Sequence, residues 1–389
     1  MRNMFYTVTV ASAEPIDGCD KIHYIGFEEN GYKVIASKEI KIGDVVAYGE
    51  VDSIFPESDK RFEFLKTRCY KESLNGYLIK AMKMRGLRSF GIVFTFNELG
   101  IKPVKAGTDL TDKFNIGKYE PAEDASPKMQ KTKGLKGLLF KFKITKPLAY
   151  KIFGVHKIKG EFPTHIISKS DEDNIQNHKE WFDKYKNEPC YISAKIEGCS
   201  VVVVAERNGK KIAYKVFGRN TIAQNCHFIF FEKLDMEKKL KNYLKNHKNE
   251  KSIAIQGEYC SPTVQKGPYK NGTNFYVYKI NVSGKTVDLD TMKEFCNDFG
   301  LKTVPIIAEP YEGFGTIWNS VEEMQEYTEH LWFKPGENIQ VFEDKKSDMK
   351  GNYSRHEGIV VCSINKGNWS FKVKSQEYQI DGIGKIKSF

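Results

Sequence analysis

Four consecutive valines, Val201–Val204, constrain this chain more than any other stretch. An unbroken run of β-branched residues fits a strand buried on both faces and fits a helix poorly. Tyr191-Ile192-Ser193 reads as a second strand just upstream. The segment between them, Lys195-Ile196-Glu197-Gly198-Cys199-Ser200, therefore falls at a tight turn between two strands. Burying an ammonium is costly, so a lysine at the end of a buried strand needs a reason to be there. One reading is a nucleophile whose pKa is lowered by its surroundings. The other is an ordinary hairpin with a surface Lys and Glu, and four residues alone favour that one.

The rest of the chain decides between them. A length of 389 residues allows two or three domains. With 40% apolar and 29% charged residues the chain is globular, not disordered. A net charge of +11 suits a polyanionic partner such as nucleic acid, although unclustered lysine richness would give the same number. The 20 Tyr and 26 Phe supply core and, at the surface, stacking area for bases. Eight scattered cysteines with no C-x-x-C pair read as reduced thiols of an intracellular protein, cytoplasmic or nuclear. They suggest neither a disulfide scaffold nor a zinc site. No signal peptide and no apolar run near about 18 residues is visible, so no membrane span is expected.

Residues 1–110 read as β-rich, with Gly and Asp at the turns and strands such as Phe5-Tyr6-Thr7-Val8-Thr9-Val10. That spacing suggests a small closed barrel. Arg85-Gly86-Leu87-Arg88-Ser89-Phe90-Gly91 interleaves base, glycine and aromatic, so Arg85 and Arg88 are candidates for a phosphate backbone or for a basic barrel edge. Residues 111–159 carry Pro121, Pro127 and Pro147 around a lysine-rich stretch and read as a linker or strap. From residue 160 a second domain begins. Ser170 with Asp173 is a fair helix start, and a helix follows with Trp181, Phe182 and Tyr185. From Pro189 strands should dominate, interrupted by a charged helix from about Glu232 to Lys248 that reads as a solvated face.

Several strand ends in this domain carry chemistry. Arg219 follows Tyr214–Phe217, and Glu258 ends Ser252–Ile255 and its extension. Phe275–Tyr278 is a strand of aromatics, and Glu357-Gly358 precedes the buried run Ile359-Val360-Val361. Lys372 and Lys374 share one face of a strand, because side chains alternate. Each piece alone has an ordinary structural explanation. Together, in this order, they describe one site: a lysine nucleophile, acids for a metal, an aromatic for a base and lysines for phosphates.

That order resembles the covalent nucleotidyltransferase superfamily of ATP-dependent ligases and capping enzymes. Lys195–Gly198 is similar to its K-x-D/E-G motif, Arg219 to motif Ia, Glu258 to motif III and Tyr278 to motif IIIa. Glu357-Gly358 is similar to motif IV and Lys372-Val373-Lys374 to motif V. Phe162-Pro163 through Lys169-Ser170-Asp171-Glu172 to Gln176-Asn177, and Pro262–Tyr269 with Gln265-Lys266, resemble stretches of RNA ligases. Departures are Cys199-Ser200 for Thr-Asn, Ser261-Pro262-Thr263 for Gly-Pro-Gly, and Asn174 for the usual arginine. With 15 residues after Lys374 (389 − 374), no C-terminal OB domain of the DNA ligase or capping type is expected. The arrangement instead resembles the RNA ligases with an N-terminal OB domain.

The resemblance implies an α+β protein: an OB-like nucleic-acid-binding barrel over 1–110, then an adenylyltransferase domain over 160–389 of ATP-grasp-like antiparallel sheets with helices. It implies an ATP-dependent RNA ligase acting through lysyl-AMP and a 5′-adenylated strand, in RNA nick sealing or repair. Lys195 would be the nucleophile, aided by Lys372 and Lys374. Glu197, Arg219, Glu258, Tyr278, Glu357 and Lys169 would hold the nucleotide. Glu197 and Glu357 would hold Mg²⁺ or Mn²⁺. Lys266, Arg85 and Arg88 would touch RNA. The alternatives are a capping guanylyltransferase, a DNA ligase, or a non-catalytic RNA-binding module with a degenerate nucleotidyltransferase domain. The expected state is a monomer, with a front barrel that the first chemical step does not need.

Overall fold

A computed structural model describes residues 3–119, 162–170, 172–219, 225–261, 273–333, 341–343, 352–365, 368–381 and 387–388. One long strand organises the front unit. β1 (Phe5–Pro15) pairs through Phe5–Thr9 with β4 (Val45–Gly49) and through Val10–Pro15 with β2 (Ile22–Phe27), both antiparallel. Its register shifts between Val10 and Ser12, where an extra residue bends the strand and lets one strand serve two walls of a barrel. β3 (Lys33–Ser37) extends one side of this sheet. β5 (Ser53–Pro56), β6 (Tyr70–Lys71) and β7 (Gly76–Leu78) belong to a second sheet. A short helix, α1 (Lys66–Cys69), lies between β5 and β6.

β8 (Met82–Met84) and β9 (Leu87–Ser89) form a hairpin. Its two turn residues, Arg85 and Gly86, both have positive φ (+48° and +82°), the turn that matches strand twist. β10 (Ile92–Phe94) completes the first sheet beside β4. Phe5, Phe55, Phe62, Phe94 and Phe114 fill the interior, with pairs edge-on at 4.8 to 5.8 Å. Leu110, Phe114 and Ile116 belong to this core, and β11 (Gly117–Lys118) pairs with β5. The front unit therefore reaches Tyr119, and residues 111–119 are part of the barrel, not of a strap.

The second unit carries its site between two sheets. One has the order β19-β12-β23-β24: β12 (Cys190–Ala194), β19 (Ile306–Ala308), β23 (Gly358–Ser363) and β24 (Ser370–Lys374), all antiparallel. The other runs β14-β13-β15-β16-β17, from β13 (Cys199–Asn208), β14 (Lys211–Phe217), β15 (Ser252–Cys260), β16 (Asn274–Val282) and β17 (Lys285–Thr286). β18 (Lys302–Thr303) pairs parallel to β16. β20 (Leu331–Phe333), β21 (Val341–Glu343), β22 (Asn352–Arg355) and β25 (Lys387–Ser388) form a further sheet. The valine run is buried on both faces as expected. Val201 and Val203 face one core, and Val202 and Val204 pack on Phe162, Ile166, Ile167 and Phe217 on the other side.

Helices are more numerous than the sequence suggests. α2 (Glu180–Tyr185) is the expected helix, but a 3₁₀ turn at Ile175–Asn177 precedes it and Ser170 does not cap it. The charged stretch forms α4 (Met236–Asn246), and a separate, more apolar helix, α3 (Asn225–Lys233), precedes it. Met236, Leu240 and Leu244, four apart, line one face of α4 and are fully buried in the core with Val201 and Val203. Only its other face is solvated. α5 (Leu289–Phe299) is capped by Asp288, which accepts from the Thr291 N–H at 2.8 Å, and stops at Gly300 with φ +65°. α6 (Val321–Glu329) is capped by Ser320, and α7 (Gln376–Asp381) follows β24 directly. Among the described residues no helix is long and apolar enough to cross a membrane.

Candidate active site

Lys195 lies where the chain leaves β12 in one sheet and enters β13 in the other. Its N–H donates to the Gly358 carbonyl at 2.9 Å, which fixes its backbone against the start of β23. Two glycines make that approach possible. A Cβ on Gly198 would sit 2.6 Å from the Tyr259 carbonyl oxygen. A Cβ on Gly358, whose φ is +145°, would sit 2.1 Å from the Val373 carbonyl oxygen. Neither position has room for a side chain, and the second also has a backbone that side chains avoid.

Glu357 is the hub. Its Oε2 is 2.9 Å from Lys195 Nζ and its Oε1 is 3.1 Å from Lys374 Nζ, with the glutamate side chain only 9% exposed. The register Gly358↔Lys374 and Val360↔Lys372 puts Lys372 on the same face of β24 as Lys374. Burial alone would raise the Glu357 carboxyl, but Lys195 and then Lys374 outweigh it and hold the pKa at about 2.

The same charges act in reverse on the lysine. Burial would lower the Lys195 ammonium, but Glu357 and Glu258 more than offset this, and its pKa stands above the ordinary 10.5. The lowered pKa expected from the sequence does not hold in the nucleotide-free site. The charges that decide it are carboxylates, not the neighbouring lysines.

Glu258 behaves oppositely to Glu357. It faces Ser200 on β13 and Tyr276 on β16 across the ladder. Burial pushes its carboxyl up to about 8, against the pull of Lys195 and with help from Glu357 and Glu172. At neutral pH it is a protonated acid able to donate one hydrogen bond.

Tyr278 occupies a bulge. Gln256 pairs with Lys279 and Gly257 with Val277, so Tyr278 is the extra residue. Its hydroxyl bonds to Ser170 Oγ at 2.8 Å and Ser200 Oγ at 2.7 Å. Ser170 is spent here instead of at a helix start.

Glu197 is half-buried. Burial raises its carboxyl, and a hydrogen bond from the Tyr378 hydroxyl partly offsets this. Its Oε2 is buried with no hydrogen-bond partner. An orphaned carboxylate oxygen beside Glu357 suits a hard divalent cation. Among the described residues no group of three or more His, Cys, Asp or Glu could hold a metal. Waters and substrate oxygens would therefore complete the shell.

The structure thus gathers Lys195, Glu258, Glu357 and Lys374, with Lys372, Glu197 and Tyr278 around them. Arg219, just past β14, and Lys169, whose Nζ is 5.9 Å from the Phe162 ring, are exposed at the margin. Lys266 lies outside the described residues. Arg85 is exposed at the β8–β9 turn, whereas Arg88 is paired with Glu377 at 2.5 Å and is committed to the other unit. Sequence reasoning missed Glu172, Ser170 as a tyrosine partner, and Tyr378. Glu172 bears on Lys195, Glu258 and Tyr278. It lies within the Lys169–Glu172 stretch, so a polar cluster there was the available signal.

Comparisons with known proteins agree on both units. Residues 6–96 match an OB-fold domain model, and residues 188–374 match the RNA ligase family model. No curated protein matches the sequence. Among solved structures, an RNA ligase of Naegleria gruberi with PPi is similar at a TM-score of 0.72 and 22% identity, covering 97% of this chain and 98% of that one. A mutant of that ligase with ATP and Mn has a TM-score of 0.71 at 21% identity, covering 97% of each chain. Another with AMP and Mn has 0.72 at 21%, covering 97% and 98%. The chain thus carries an OB-fold domain over residues 6–96 and, behind it, a domain of the RNA ligase family over residues 188–374, in an arrangement that matches a solved RNA ligase along nearly its whole length.

Proposed function

We propose that this chain is an ATP-dependent RNA ligase in which Lys195 takes AMP from ATP and hands it to an RNA 5′-phosphate. A neighbouring RNA 3′-hydroxyl then displaces the AMP and closes the strand. The observation that carries this reading is the fork at Glu357, with one oxygen on Lys195 and the other on Lys374.

In the free site Lys195 is an ammonium paired to Glu357. It must release that proton to solvent water before its nitrogen can attack. The attack forms a bond from Nζ to the α-phosphorus and breaks the bond from that phosphorus to the bridging oxygen, so pyrophosphate leaves. Lys372 and Lys374 neutralise charge on the phosphate oxygens as it builds. Glu258, protonated, donates to a ribose oxygen, and the ring of Tyr278, anchored by Ser170 and Ser200, packs on the base. Arg219 and Lys169 meet ribose or phosphate at the margin, and Lys266 and Arg85 meet the RNA. Glu197 and Glu357 would hold Mg²⁺ or Mn²⁺, which when bound supplies positive charge to the phosphate oxygens. The solved Naegleria ligase, described with ATP, AMP and Mn, supports the choice of nucleotide and metal. One chain supplies every group, so a monomer suffices. Eight free thiols suit a reducing compartment inside the cell.

The test is incubation with labelled ATP or GTP, then with nicked duplexes carrying RNA or DNA on each side of the break. Labelling by ATP and sealing that requires an RNA 3′-hydroxyl are expected. Labelling by GTP alone would indicate a capping enzyme, and equal sealing of all-DNA nicks a DNA ligase. Absence of any label would leave the non-catalytic RNA-binding reading.

A further inference from the structure

The front unit reaches both ends of the catalytic strand through segments that flank its two functional lysines. At one end, Asn174 forms a parallel bridge with Lys372, and the Lys372 N–H donates to the Asp173 carbonyl at 2.9 Å. The Asn174 amide also donates to the Tyr32 hydroxyl of the barrel at 2.6 Å, in a buried contact. The Gly31 N–H of the barrel donates to the Gln176 carbonyl at 2.7 Å. At the other end, α7 starts two residues after Lys374. The buried Glu329 holds that start, accepting from the Gln376 N–H at 2.5 Å and the Ser375 hydroxyl at 2.9 Å.

Three residues of α7 then divide between the barrel and the site. Glu377 pairs with Arg88 of the barrel at 2.5 Å, both about one-quarter to one-third exposed (26% and 30%). Tyr378 donates its hydroxyl to Glu197. Ile380 packs against the barrel core that includes Val8, Tyr48 and Phe90. A six-residue helix has little stability of its own, so its position is set by what holds its two sides. Here those are Glu329 and the barrel.

We propose that α7 is a strut through which the front barrel positions Glu197 for the nucleotide-transfer step, with Tyr378 as the positioning residue and Arg88–Glu377 as the clamp. This rests on the ligase reading and goes beyond it. An outer partner that orients a metal-binding carboxylate typically changes metal affinity about 10- to 100-fold.

The experiment uses the full chain, measures Mn²⁺ binding directly by water-proton relaxation, and titrates Mn²⁺ in the self-adenylylation reaction with ATP, with the same shift in half-saturating Mn²⁺ expected in both readouts. Wild type forming the adduct supports the ligase reading, and its failure to do so sinks that reading before the strut is tested. Given that adduct, Tyr378→Phe and Arg88→Glu should each raise the half-saturating Mn²⁺ about tenfold. The rate at saturating metal should stay within about threefold of wild type, a split that general misfolding does not produce. The exchange Arg88→Glu with Glu377→Arg should recover most of the loss seen with Arg88→Glu alone. Wild-type metal dependence in Tyr378→Phe removes Tyr378 from the role. An exchange variant no better than Arg88→Glu overturns the clamp.

Discussion

Replacing Glu258 by glutamine should stabilise the free protein while disabling it. Glu258 has a carboxyl pushed from the ordinary 4.5 up to about 8, first by burial and then by Glu357 and Glu172. Between those two values the folded protein keeps a proton that the unfolded chain has released. The unfolded state binds fewer protons, so stability falls as pH rises through that window. A span of about 3.5 pH units at about 1.4 kcal/mol each sets a ceiling near 5 kcal/mol. Lys195 and Glu357 titrate in the same cluster and share the effect, so about 2 kcal/mol is the working figure. Glutamine keeps the shape and a donor and never ionises, so the variant escapes this loss. The advantage of Glu258→Gln should be small at pH 5 and grow to about 2 kcal/mol at pH 8. All four tryptophans, Trp181, Trp318, Trp332 and Trp369, lie in the second unit, so their fluorescence in urea titrations reads this domain. A difference that stays flat with pH, or a variant less stable than wild type at pH 8, refutes the reasoning. Self-adenylylation of the variant should fall even as its stability rises.

Two further perturbations separate the roles of neighbouring residues. Gly358→Ala should cost well over about 2 kcal/mol in urea unfolding, because positive φ and a carbonyl oxygen 2.1 Å from the new Cβ both oppose it. Gly209→Ala, with φ +60° and nothing within 4 Å, should cost only about 1 kcal/mol, and equal costs would remove the packing argument. Glu357→Ala leaves two partly buried cations without their shared anion and should cost about 2 kcal/mol or more, whereas Glu197→Ala removes an orphaned oxygen together with one hydrogen bond from Tyr378 and should cost no more than about 1 kcal/mol. Both should lower self-adenylylation about 100-fold, and near-normal labelling of both at low metal would take them out of the site.

The site's residues were legible where strand patterns frame them. Val201–Val204 and Ile359–Val361 have one physical reading as buried strands, so the lysine and glutamate at their ends could be placed with little else. Glycine at 198 and 358 was visible, but its reason, a carbonyl 2.6 or 2.1 Å from a missing Cβ, exists only once two sheets meet. Helices were under-read because Met236, Leu240 and Leu244 are diluted by lysines, and the buried stripe shows only when the period is followed. Ser170 looked like a cap because serine bonds locally in most contexts, and here a tyrosine 108 residues away takes that bond. Arg88 looked like an RNA contact because exposed arginines near aromatics often are, and a carboxylate 289 residues away claims it. The charge state of Lys195 was misjudged for a related reason. Sequence shows which charges are near one another in the motifs but not which one is 2.9 Å away.

The most direct test of the account is where AMP sits on the protein. Full-length chain incubated with ATP and Mg²⁺ or Mn²⁺, then digested and mapped by mass, should carry AMP on the peptide containing Lys195 and nowhere else. Lys195→Ala should carry none, yet still join an RNA strand supplied with its 5′-adenylate already in place, because that step needs no lysine nucleophile. AMP on any other residue, or a covalent adduct persisting in Lys195→Ala, contradicts the account.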